Sequence, residues 1–150
     1  MDEHIRAIVA VRLEKARDDI ATAHDLIDSG RFRWAVNRAY YAVYHLATAA
    51  LLTLDVERSK HSGVQSAFGR YLVRPGLIEP EYGRILTSAR KAGEASDYAD
   101  RIQPDEEMAR EIVSDCDRFV TRIETYLRDV GALSPGSDIS SSDSNEGRLG

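Results

Sequence analysis

Phe32 to Leu54 reads FRWAVNRAYYAVYHLATAALLTL, and the organisation of the whole chain follows from that stretch. It holds no Pro or Gly, and alanine recurs through it, so nothing in it interrupts a helix. From Ala39 onward the segment is apolar almost all round for 16 residues, broken only by His45, Thr48 and Thr53. That is shorter than the roughly 18 apolar residues expected of a membrane span. The reading is a central core helix that other helices must cover.

The flanking sequence supplies the covers. Upstream, Ile5, Val9, Leu13, Ala16, Ile20, Ala23 and Ile27 step by three or four, one stripe of an amphipathic helix that Ser29-Gly30 closes. Downstream, a polar link over Val56 to Lys60 precedes a third stripe of Val64, Ala67, Phe68, Tyr71 and Leu72, stopped by Arg74-Pro75-Gly76. A fourth helix from about Pro80 to Ala95 carries Tyr82, Ile85, Leu86 and Ala89. The fifth starts where Pro104 and the acids Asp105 to Glu107 suit a helix N-terminus, and runs through Met108, Ile112, Cys116, Phe119, Ile123, Tyr126 and Val130 to Gly131. The expected fold is all-α, a single antiparallel up-and-down bundle of about five helices over residues 1–133, with helices two and five central. Residues 134–150, SPGSDISSSDSNEGRLG, have too few apolar side chains to offset the entropy of ordering and are expected to be a disordered tail.

Composition narrows the function classes. With 43% hydrophobic and 30% charged residues the 150-residue chain is that of one globular domain. A net charge of −5 argues against coating nucleic acid through an overall basic field, although 17 of the 20 basic residues are Arg, whose planar fork suits phosphate. The single Cys116 has no disulfide partner, and the N-terminal MDEHIRAIVAVRLEKARDD lacks the order of a secretory signal, so a cytoplasmic location is expected. No His, Cys, Asp or Glu group has metal-ligand spacing, and neither a metal nor a cofactor is expected.

The chemistry-bearing residues lie in Asn37-Arg38-Ala39-Tyr40-Tyr41-Ala42-Val43-Tyr44-His45. Arg38, Tyr41 and His45 stand at i, i+3 and i+7, which a helix returns to one face, roughly 10 Å from end to end. Arginine can brace a phosphate with paired donors, and histidine can move a proton near neutral pH. Together they are the parts of metal-independent RNA cleavage, Arg38 as phosphate stabiliser and His45 as base or acid. The same two residues also suit a buried polar pair serving only the fold. His61 is the next candidate, an RNA-contacting residue or a plain polar residue at a helix start; Asp97-Tyr98 suits a turn, and His4 and His24 suit the surface.

Ala35 to His45, then Ala50-Leu51-Leu52, Lys60-His61-Ser62-Gly63-Val64 and Asp97-Tyr98 before the last amphipathic helix, together resemble the HEPN domain family over about residues 5–130. The resemblance implies a helical bundle, usually a homodimer, often working beside a minimal nucleotidyltransferase. Many such proteins are toxin-like endoribonucleases whose signature is Arg, four to six residues, then His, and Arg38 to His45 has six residues between. Arg38 and His45 would be catalytic, with Asn37, Tyr41 and His61 supporting or contacting RNA. The resembling branch tends to carry an arginine four residues before Asp-Tyr, where this chain has Gly93 and the nearest arginine is Arg90. The competing implication is a non-catalytic module that binds nucleotide or RNA, or docks a nucleotidyltransferase.

Overall fold

The computed structural model describes residues 1–95 and 103–134. Among them are five α-helices and no strand: α1 Glu3–Asp28, α2 Phe32–Leu52, α3 His61–Phe68, α4 Pro80–Ala95 and α5 Glu106–Asp129. α3 runs into a wider π turn, Gly69–Val73, where the Arg74 N–H reaches back five residues to the Gly69 carbonyl at 2.9 Å. The turn expected at Asp97-Tyr98 and the tail beyond Ser134 lie outside the described residues.

Caps explain the helix limits. The Asp2 carboxylate accepts from the His4 N–H at 2.7 Å to start α1, and Asp105 accepts from the Met108 N–H at 2.9 Å to start α5. α1 ends at Gly30, whose φ of 77° lets the Arg31 N–H turn back to the Leu26 carbonyl at 2.8 Å.

α2 is the centre of the bundle, packing against α1, α3, α4 and α5. Val43, Leu46 and Leu51 are fully or almost fully buried there, each worth about 1.5–3 kcal/mol of transfer from water. Cross-helix pairs set the directions. Arg17 and His24 of α1 meet Glu124 and Asp117 of α5, and Glu79 and Glu81 beside α4 meet Arg122 and Arg118 of α5. Glu79 just precedes α4 and Glu81 is its second residue, so in each case the early residue of one helix meets the late residue of the other, and α5 is antiparallel to both α1 and α4. Asp19 and Arg12 pair with Arg38 and Thr48 in the same reversed order, which makes α1 and α2 antiparallel.

Two expectations need correction. On α5 the buried stripe begins at Ala109 and Val113, while Met108 is 50% exposed, because steps of four drift off a helix whose true repeat is 3.6. The apolarity of α2, which in the sequence looks too great for one small bundle to cover and so calls for a second chain against it, is met within this chain: Ala35, Ala39, Ala42, Ala47, Ala49 and Ala50 are small enough for the four neighbouring helices to close over it. Among the described residues no helix is long and apolar enough to cross a membrane.

Candidate functional site

Antiparallel packing of α1 on α2 carries Asp19 to the Arg38–His45 face. Arg38 Nη1 donates to Asp19 Oδ1 at 3.2 Å, and His45 Nε2 lies 3.4 Å from Asp19 Oδ2. One carboxylate therefore joins the two residues that sequence spacing placed two turns apart. The Arg38 guanidinium also covers the Tyr41 ring at 5.0 Å and reaches Asn37 Oδ1 at 3.5 Å. The face is neither dry core nor open surface, the side chains of Arg38, His45 and Asp19 being 38%, 21% and 15% exposed.

Electrostatics at this face favour neutral His45. Burial is the largest influence and lowers its pKa from the ordinary 6.5; Asp19 pulls the other way, and the cations Arg12, Lys15 and Arg38 reinforce the lowering. His45 Nδ1 is buried without a partner. Next along the face, Arg12 Nη1 donates to Thr48 Oγ1 at 2.8 Å, and that hydroxyl donates to the His45 carbonyl at 2.8 Å. Arg12 and Thr48 line a small cleft of about 180 Å³ with Tyr44 and Leu51.

His61 belongs to a neighbouring cluster. It is the first residue of α3, its Nδ1 is 2.6 Å from the Tyr40 hydroxyl, and its ring stacks on Tyr44 at 4.3 Å and meets Tyr41 edge-on at 6.1 Å. Burial, chiefly, raises the pKa of Tyr40, so its hydroxyl stays protonated at neutral pH and can donate to His61. Tyr41 thus touches both groups: Arg38 on one side, His61 on the other. No three His, Cys, Asp or Glu among the described residues gather to hold a metal.

The family model of the HEPN domain matches residues 9–126, most of the chain, including the Asp19, Arg38 and His45 positions of this face. The chain belongs to the HEPN domain family. A relative from Methanocaldococcus jannaschii named "putative toxin" is 37% identical over 130 residues, spanning 87% of this HEPN chain and 96% of the relative. A UPF0332 protein from Thermotoga maritima is 31% identical over 116 residues, or 77% of this chain and 88% of that one. A second protein from M. jannaschii bearing the toxin name is 26% identical over 115 residues, covering 77% of this chain and 78% of the relative.

Within this HEPN domain, the residue that sequence reasoning missed is Asp19. It sits beside Asp18 on a helix rich in acids, and nothing in one dimension marks which acid will face Arg38. Gly93, where the resemblance leads one to expect arginine, is a point of close helix approach. A Cβ there would lie 2.8 Å from Tyr40 Cβ, so the position holds α4 against the tyrosine that bonds His61.

Proposed function

We propose that this HEPN protein is a toxin-like, metal-independent endoribonuclease. The observation that carries the proposal is the convergence of Arg38 and His45 on one carboxylate. Two side chains that converge on Asp19 can converge on a phosphodiester brought into its place, since carboxylate and phosphate offer the same planar arginine fork a pair of anionic oxygens. Asp19 then marks the anion position of the free protein and must give way when RNA enters.

The chemistry follows from the two side chains. Neutral and with its ring proton on Nδ1, His45 presents Nε2 as the base that takes the ribose 2′-OH proton. The 2′-oxygen attacks the adjacent phosphorus, Arg38 stabilises the charge that builds on the pentacovalent phosphate, and the P–O5′ bond breaks. The imidazolium returns its proton to the leaving 5′-oxygen. Tyr41 and Asn37 hold Arg38 in place, and His61 is the nearest further group to touch the strand. Full-length protein mixed with single-stranded RNA in EDTA is expected to cleave it, and uncleaved RNA under those conditions would contradict the proposal.

Family membership also underlies two partner assignments: a homodimer and a nucleotidyltransferase that restrains the toxin. Twofold assembly requires one surface to be self-complementary. Light scattering at tens of micromolar is expected to give twice the 16.7 kDa chain mass, and a monomer would remove the dimer from this account.

A further inference from the structure

Seven arginines of this acidic chain are ion-paired, and the others among the described residues are spread along it. Arg17, Arg38, Arg90, Arg110, Arg118, Arg122 and Arg128 each lie within ion-pair distance of a carboxylate. Arg70, Arg74 and Arg84 are exposed and have no such partner among the described residues, yet all three line one open groove of about 570 Å³ between α3, the π turn and α4. No acid among the described residues lines this groove, and the reason is visible. Glu79 and Glu81, the acids nearest this groove in sequence, are turned away to Arg122 and Arg118 of α5. Three guanidinium charges are left facing one channel on a chain of net charge −5.

We infer that this groove binds the phosphates of a single RNA strand, with Arg70, Arg74 and Arg84 each taking a backbone phosphate. The identity of the ligand as RNA rests on the function proposed above. Ser66 and Ser88 add hydroxyl donors at the groove wall, and no aromatic side chain lines it. Val73 and Pro80 give the groove an aliphatic floor but no ring for a base to stack on, whereas three converging guanidinium groups suit phosphates, which need no ring. Binding is therefore independent of base sequence. The groove also connects with the candidate catalytic face. Gln65 lines it, one turn along α3 from His61, whose ring meets Tyr41, the ring beneath Arg38. A strand lying in the groove would reach Arg38 over partly exposed residues throughout.

The test uses the full chain and a fluorescein-labelled RNA of about 20 nucleotides whose 2′-hydroxyls are all methylated, so that it binds without being cut. Anisotropy titrations are run over a range of salt for wild type, for the triple variant Arg70→Gln, Arg74→Gln, Arg84→Gln, and for a control with the same charge change, Arg17→Gln, Arg110→Gln, Arg118→Gln. Loss of three phosphate contacts should weaken binding at least about 10-fold near 0.1 M salt and make the log–log salt slope shallower by about 2, while the control changes far less. Unchanged affinity and slope in the groove variant, or equal loss in the control, would overturn the inference. Unchanged RNA affinity with loss of binding to an acidic protein partner would overturn it too, by reassigning the arginines. Groove-dependent binding by a wild type that cuts no RNA would leave the groove standing and remove the nuclease. Cleavage with groove-independent binding would do the reverse.

Discussion

His45→Ala and Arg38→Ala are each expected to lower RNA cleavage by about 10²–10⁴-fold while the protein stays folded. Both side chains are partly exposed at the α1–α2 face rather than set in the core, so their removal opens no large cavity. If they served the fold alone, truncating either would strand its partners at Asp19 and cost about 1–3 kcal/mol, with no activity to lose. Circular dichroism melts run beside cleavage assays on the same samples separate the two outcomes.

The pH dependence has a definite sign. His45 must be neutral to act as base, and its pKa in the folded protein lies below the ordinary 6.5, chiefly through burial. Cleavage should therefore persist to lower pH than an unperturbed imidazole allows, and fall as pH drops through the lowered value. The same group contributes stability in full above its unfolded pKa and loses it as pH falls, because the unfolded chain then binds the proton more readily. Asp19→Asn removes the one influence that raises the His45 pKa and should move the acid limb of the profile to still lower pH.

Gly93→Ala should destabilise the fold although alanine is the better helix former. The added methyl would meet Tyr40 Cβ at 2.8 Å and its ring carbons at 3.0 Å, and Tyr40 is only 2% exposed and cannot swing into solvent. Overpacking costs about 1–3 kcal/mol, against a gain of about 0.8–1.0 kcal/mol in helix propensity. A net loss of up to about 2 kcal/mol is expected, seen as a lower melting temperature. A Gly93→Ala protein that melts at or above wild type would show that α4 can draw back from α2 at no cost.

Gly93 also shows what the sequence could and could not disclose. It stands out only as a departure from a family pattern; its steric reason exists once α4 lies on Tyr40. Apolar period made the helices legible, because Val9, Leu13, Ala16, Ala23 and Ile27 had nowhere to go but one buried face. Spacing within α2 placed Arg38, Tyr41 and His45 together, since one helix fixes their relative directions. Asp19, Arg12 and the tyrosine cage of His61 depend on packing between helices, and in each case the partner lies 19 to 36 residues away. The covering of α2 misled for a similar reason: its alanines read as apolar, but their small size is what lets one chain bury the helix.

The most direct measurement is the chemical identity of the RNA ends produced by wild-type protein in EDTA, read by mass spectrometry and compared with the Arg38→Ala and His45→Ala proteins. Attack by the 2′-oxygen leaves a 2′,3′-cyclic phosphate on one fragment and a 5′-hydroxyl on the other, and both variants should yield neither. Fragments bearing 3′-hydroxyl and 5′-phosphate ends, or cyclic phosphate formed undiminished by His45→Ala, would contradict the roles given to Arg38 and His45.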